Sequence, residues 1–361
     1  MKKHWSLLMM VLSVVFMSGC MANKSVEENA IVQIVGYDVG EEDGIQGTVS
    51  IPQYGKSEDK QAASELYLTA HADSTKDVEV EIQKKSSKPI SIGKLAVTLY
   101  SRELAEKGLE DTIDVLSRDP RLSRNMFLGI VDGSARDLIE SGYTQDETTS
   151  KHIEGLIENN TLHNFPSTSL HDFLYAYYAQ GMDPFLPILQ KRESFVELSG
   201  VAFFKKGKLV TEVPESKIFT FKMLKENFIK GMQALPFEGG TIMMENIGSN
   251  VDYSLSGPID NPKFKIKIKL KAEVNEMAGV DREATPKLAK EMEGKFVEYF
   301  NKETNELLSL FKEKQVDPLG LGSFTKTRKG DFDLTQWQDN YSELDIEVKV
   351  DVEITEYGIF S

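Results

Sequence analysis

Two stretches near the C-terminus carry the plainest hydrophobic pattern in the chain. Phe264, Ile266, Ile268 and Leu270 alternate with Lys263, Lys265, Lys267, Lys269 and Lys271. Leu344, Ile346, Val348, Val350, Val352 and Ile354 alternate with Asp345, Glu347, Lys349, Asp351 and Glu353. A period of two with one apolar face predicts strands of a half-buried antiparallel sheet. One polar row is all lysine and the other mostly acidic, so the two strands are expected to be neighbours, where opposite charges support each other across the pair. Between them the period changes. Leu288, Met292, Phe296, Phe300, Leu307 and Phe311 recur at helical spacing, which predicts a long helix over about Thr285 to Lys314 lying on that sheet, stopped by Pro318 and Gly320. Its Phe and Met stripe is core packing.

The same reading along the rest of the chain predicts shorter elements. Strands are expected at Ala30–Asp38, Gly47–Ile51, Ser64–Leu68, Ile90–Leu99 and Asn125–Val131, with an exposed loop at Gly55–Ala63. Helices are expected at Thr75–Lys85, Arg102–Gly108, Leu109 to about Pro120, Ser134–Ser141 and Ser169–Ala179, with a helix plus loop in 142–166. Pro184 and Pro187 mark a boundary. Beyond it come a hairpin over Phe195–Val210, a helix over Glu215–Lys230 and a short strand at Thr241–Met244. The fold class is α+β: mixed sheets flanked by helices, then a C-terminal antiparallel sheet packed by a long helix. The expected divisions are a signal peptide (1–19), a tether (20–29), an N-terminal α/β region of one or two lobes (30–190) and a C-terminal region (191–361).

The N-terminus departs from this globular pattern. Lys2 and Lys3 precede an apolar run, Trp5 to Met17, broken only by Ser6 and Ser13. The layout is that of a secretory signal peptide, and the run is short of the about 20 apolar residues a membrane-spanning helix needs. Cys20, directly after Ser18 and Gly19, is the only cysteine. It has no partner in the chain for a disulfide, and thiolate zinc sites are out. Met17-Ser18-Gly19-Cys20 resembles a bacterial lipobox with Met17 in the usual leucine position. That resemblance implies a diacylglycerol on Cys20, cleavage before it, and Cys20 as the first residue of a membrane-tethered mature chain. Two acyl chains hold a protein at a bilayer where one does not.

The precursor has 361 residues and a formal charge of −15, and loss of the segment holding Lys2 and Lys3 leaves about −17. So acidic a chain has no electrostatic footprint for nucleic acid, and its body is expected to stand off anionic headgroups.

Reactive constellations are absent from the sequence. Lys205-Lys206-Gly207-Lys208 after Gly200 fails as a phosphate loop: six residues separate the glycines and Leu209 stands where a hydroxyl is needed. His71, His152, His163 and His171 are scattered without metal-ligand spacing, so no metal, no cofactor and no catalytic residue is assigned. The polar stretches 142–166 and 245–262 are candidate binding surfaces.

Several phrases, taken in order, resemble one family. They are Glu28-Asn29-Ala30-Ile31-Val32 with Gly36-Tyr37-Asp38; Gly93-Lys94-Leu95 through Leu104 and Gly108; and Leu116-Ser117-Arg118-Asp119-Pro120-Arg121. The hairpin from Phe195 to Leu209, then Lys314 and Asp317 to Gly322, then Trp337 and the last alternating strand follow. Together with the lipobox they are similar to the Ger(x)C family, the lipoprotein C subunits of nutrient germinant receptors. Met21-Ala22 stands where the family often has Trp-Asp, and a family histidine near Ile92-Gly93-Lys94 is missing. The resemblance implies a three-domain mixed α/β lipoprotein without enzymatic activity, on the outer face of the spore inner membrane. It also implies assembly with membrane A and B subunits and a need for the protein in nutrient-triggered germination. Two alternatives compete. A solute-binding lipoprotein of a membrane importer calls for buried, mostly parallel sheets, against which the C-terminal alternation speaks. An extracytoplasmic carboxylate hydrolase calls for a deep pocket with perturbed acids.

Overall fold

The structure is a computed structural model, and it describes residues 29–53, 64–142, 147–259 and 261–357. The expected signal peptide, Met17, Ser18, Gly19, Cys20, most of the tether and the expected loop at 55–63 lie outside the described residues.

The chain opens with β1 (Ala30–Ile31), β2 (Ile34–Val39), β3 (Ile45–Gln53), β4 (Ser64–Ala72) and α1 (Thr75–Lys85). It continues through β5 (Ile90–Ser91), β6 (Val97–Ser101), α2 (Arg102–Lys107), α3 (Glu110–Arg118), β7 (Phe127–Val131), α4 (Ala135–Ile139), α5 (Thr149–Thr161) and α6 (Leu170–Tyr178). Then come β8 (Phe185–Lys191), β9 (Val196–Lys205), β10 (Lys208–Pro214), α7 (Ile218–Lys225), β11 (Met232–Phe237) and β12 (Gly240–Ser256). The last elements are β13 (Lys263–Ala278), α8 (Pro286–Glu313), α9 (Leu321–Arg328), α10 (Leu334–Asn340) and β14 (Asp345–Tyr357).

An eight-stranded sheet runs in the order β10-β9-β8-β7-β6-β2-β3-β4. Its centre, β2-β6-β7-β8, is parallel and its two wings are antiparallel. β6 and the last four residues of β7 are wholly buried, as parallel strands covered on both faces should be. Alternate residues of these strands feed two cores. Ile34, Val97, Leu99 and Val131 pack with α4 and α5, while Val35, Tyr100, Leu128 and Ile130 pack with α1, α2, α3 and α6.

The second sheet, β11-β12-β13-β14, carries α8 on its apolar face. Thr285 caps that helix by accepting from the N–H of Leu288, Pro286 sits in its first turn, and the predicted apolar stripe is buried against Phe264, Ile266, Ile268 and Leu270. β13 and β14 are neighbours, as the charge rows predict: Lys263 lies opposite Asp345, Lys265 opposite Glu347, Lys269 opposite Asp351 and Lys271 opposite Glu353, with Lys267 opposite Lys349. The pairing is parallel, however, which corrects the expectation of an all-antiparallel sheet. α8 carries the chain back over the sheet face, so β14 re-enters in the direction of β13; alternation reports faces, not direction. The ion pairs Lys263–Asp345 at 3.3 Å and Lys265–Glu347 at 2.7 Å are exposed, and each contributes less than about 1 kcal/mol.

Three other elements differ from expectation. β12 is a 17-residue strand rather than a short one at 241–244. Asn246, Gly248, Ser249 and Asn250 look like a turn, yet register shifts at 243/244 and 246/248 accommodate them within the ladder. Asn246, wholly buried, donates to the carbonyls of Phe228 and Lys230. The same bulge shortens the expected helix 215–230 to a 3-10 turn and α7, because Phe228 exchanges both backbone hydrogen bonds with Ser249 instead of continuing the helix. β8 occupies the stretch read as a boundary. Pro187 is tolerated there because the ladder to β7 forms only at Ile188 and Leu189, so its missing N–H removes no bond to that neighbour. The expected division at 190/191 falls at the end of β8, next to the hairpin into β9, and both strands belong to the large sheet.

Candidate functional site

At the end of α8 the chain turns through Asp317-Pro318-Leu319-Gly320 into α9. The Asp317 carboxylate accepts from the backbone N–H groups of Gly320 at 2.8 Å, Leu321 at 2.9 Å and Gly322 at 2.8 Å. It thereby satisfies donors that a helix start leaves orphaned. Its own backbone is clasped by Asp183, in the turn before β8: the Asp317 N–H donates to Asp183 Oδ2 at 2.7 Å and the Asp183 N–H to the Asp317 carbonyl at 2.9 Å. The Ser323 N–H closes on the Gly181 carbonyl at 2.8 Å, and Lys225 Nζ donates to the Pro318 carbonyl at 2.7 Å. Backbone approaches backbone so closely that a Cβ on Gly181 would stand 2.6 Å from Gly322, and one on Gly322 would meet Trp337 Nε1 at 2.6 Å.

Beside this clasp lies a cavity of about 160 Å³ with Asp183, Asp317, Lys205, Tyr177, Trp337 and Tyr341 in its wall. Burial raises the carboxyl of Asp183, and that of Asp317 to about 7, while burial lowers the Lys225 ammonium. Carboxylates beside lysines would suit acid–base chemistry, but here Asp317 spends both oxygens on N–H groups and Asp183 spends one on the opposing backbone. The arrangement joins the turn before β8 to the turn after α8. It works as a joint between the two sheets' connections.

A second polar cluster tops an apolar crevice of about 50 Å³ between α1, α3 and β2. Asp119 pairs with Lys76 at 3.0 Å and with Arg121 at 2.6 Å, and Glu79 pairs with both cations at 3.0 Å. The Arg121 guanidinium beside Asp119 holds its carboxyl well below the usual range. The cluster ties α1 to the turn after α3.

The sequence-derived candidates are placed as follows. Cys20, Met17, Ser18 and Gly19 lie outside the described residues. The histidines are not brought together, and among the described residues no group of three or more His, Cys, Asp or Glu side chains could hold a metal ion. Lys205 to Lys208 form a two-residue hairpin turn, with Lys206 and Gly207 at positive φ. The sequence singles out Asp317 to Gly322 only as a helix stop and Lys205 only within a rejected phosphate loop, and neither Asp183 nor Lys225 is singled out. The available signal was the repeated Asp-Pro pair at 119–120, 183–184 and 317–318, since each of these aspartates receives a backbone N–H from a turn or its partner turn.

The two candidate surfaces meet at one corner. Asn164 bonds both the N–H and the carbonyl of Met232, and Asn246 exchanges hydrogen bonds with Lys230 and Gly231. Around these contacts Leu162, Ile229, Met232 and Ile247 are 59, 65, 49 and 37% exposed. Exposed apolar side chains gathered in this way mark interaction surfaces more often than scattered ones do.

Comparison with known proteins gives the following. Residues 23–191 match the family described as spore germination protein N-terminal domain, and residues 199–358 match spore germination B3/GerAC like, C-terminal. Spore germination protein GerQC of Bacillus cereus is 28% identical over 364 residues, 99% of each chain. The crystal structure of the GerBC protein superposes with a TM-score of 0.60 at 16% identity, covering 89% of this chain and 96% of that one. That likeness is one of fold. Among the described residues no helix is long and apolar enough to cross a membrane.

Proposed function

Because the chain belongs to the Ger(x)C family of spore germination proteins, we propose that it is the lipid-anchored, non-catalytic subunit of a nutrient germinant receptor, held by a diacylglycerol on Cys20 at the outer face of the spore inner membrane and assembled with membrane A and B subunits. The observation that carries this reading is collinearity: the germination protein it resembles matches it from end to end, with 99% of both chains aligned. The lipobox, the acidic body and the use of the buried carboxylates in joining turns support it.

The anchor is tested by Cys20→Ser. The variant is expected to leave the membrane fraction of spores and to abolish the nutrient response; a variant that stays membrane-bound and functional overturns the lipid assignment. The assembly is tested by a mild-detergent pull-down of the tagged chain from dormant-spore membranes. Two polytopic subunits are expected. Recovery of an importer permease with its ATPase would favour a solute-binding lipoprotein instead. In the same assay Ile229→Asp with Met232→Asp, both at exposed positions, should lower partner recovery by about tenfold with an unchanged melting temperature. Unchanged recovery would take the partner surface away from that corner.

A further inference from the structure

β14 is an edge strand of 13 residues, paired on one side only among the described residues. Two contacts fix which backbone groups face outward. The Leu344 carbonyl accepts from Lys312 Nζ, and the Ile354 N–H donates to Glu293 Oε1 at 3.0 Å. Both partners are side chains of α8, at opposite ends of the strand. Backbone direction alternates along a strand and the register to β13 is unbroken from Asp345 to Ile354. The N–H and C=O groups of Ile346, Val348, Val350 and Val352 therefore also point away from β13, and no described residue bonds them. Ile346, Val348 and Val352 are only half-buried.

A long unpaired edge is a template for another strand unless something blunts it. β14 has no proline and, before its last residues, no bulge. Its outward row is Asp345, Glu347, Lys349, Asp351 and Glu353, four acids and one lysine. The ion-paired members of this row are themselves about 60% exposed. This row discriminates among partners. A second copy pairing antiparallel along the whole edge would set Asp345 against Glu353, Glu347 against Asp351, and Lys349 against itself, like charge on like, which is destabilising across a strand pair. A strand of alternating basic and apolar residues would repeat what β13 does on the other side: its cations would lie over the acids and its apolar side chains would extend the face under α8.

We propose that the β14 edge is a docking site for an extended segment of alternating basic and apolar residues, added as a fifth strand to the C-terminal sheet. Main-chain hydrogen bonds supply the affinity and the acidic row the selectivity, while the same row keeps copies of the chain apart.

The test uses the full chain in nonionic detergent and the peptide KFKIKIKLK, the sequence of residues 263–271. Hydrogen exchange at Ile346, Val348, Val350 and Val352 is expected to slow by about tenfold or more at saturation. A peptide N-methylated at alternate amides, and one of the same composition with the alternation scrambled, are expected to bind about tenfold more weakly or worse. The methylated peptide keeps every charge, so equal affinity would reduce the interaction to bulk attraction and overturn the proposal. Unchanged exchange at those four amides would overturn it too.

Discussion

Replacing Lys222 by methionine is expected to lower the free energy of unfolding by about 3–5 kcal/mol. Lys222 lies in α7 and is 2% exposed. Its ammonium donates to the carbonyls of Thr161 at 2.7 Å, His163 at 2.8 Å and Phe165 at 2.8 Å. These are the last carbonyls of α5 and of the turn after it, which have no helical partner of their own. The ammonium also stands 4.9 Å from the centre of the Phe228 ring and 3.6 Å from Glu226. Burial lowers its pKa, but the convergence of three acceptors and a carboxylate favours the charged form. Methionine keeps the length of the stem and removes all three donors, and each carbonyl left buried without a partner costs about 1–3 kcal/mol. Chemical denaturation decides the matter: a loss below about 1 kcal/mol would mean that water or a shifted turn replaces the ammonium. Because α5 belongs to the first half of the chain and α7 to the second, the variant should also speed exchange at the α5 C-terminus.

Nothing in the pattern of Phe219-Thr220-Phe221-Lys222-Met223-Leu224 tells where a lone lysine in an apolar run will find acceptors 60 residues away in sequence; it only says that one is needed. The same limit separates what could be read from what could not. α8 was legible because its stripe from Leu288 to Phe311 is a local, repeated signal. β13 and β14 were legible as faces and as partners because their side chains report burial and charge. Their relative direction depends on the path of the chain between them, and the residues opposite each other look alike in either sense. β12 and β8 were hidden by residues that usually break strands: Asn246 and Gly248 in one, Pro187 in the other. Each is tolerated by a feature of its neighbour, a register shift or an absent ladder bond. The clasp at Asp317 was half visible. Asp-Pro followed by two glycines signals a tight turn, whereas the opposing turn at Asp183 is a tertiary fact. The lipid anchor is a different case: its reading rests on four residues, Met17 to Cys20, that lie outside the described ones, and it is left to the Cys20→Ser test.

The Asp317 clasp should make stability fall as pH rises through neutrality. The carboxyl is 3% exposed, and burial raises it from an ordinary 3.8 to about 7 although three N–H groups favour the ionised form. The charge of Asp183 across the clasp pushes the same way. Between those two values the folded chain holds a proton that the unfolded chain has released, so stability is greatest below about pH 4 as far as this group alone is concerned and is lost as pH rises to 7. Acting alone, the group accounts for on the order of 4 kcal/mol over that interval. Asp119 opposes it at the acid end: held low by Arg121, it loses its contribution as pH falls below the ordinary carboxylate range. The two together put the optimum in mildly acidic solution. The expected result is a melting temperature that drops from pH 5 to pH 8 in the natural chain and changes far less in Asp317→Asn. Protection against exchange, relative to the intrinsic rate at each pH, should fall at Gly320, Leu321 and Gly322 over the same interval, because those N–H groups are the ones the carboxyl holds. Equal slopes in both chains would move the titration to another group. A melting temperature that rises towards pH 8 would mean that the N–H donors outweigh burial and that the joint is ionised throughout, in which case the loss in Asp317→Asn should be nearly independent of pH.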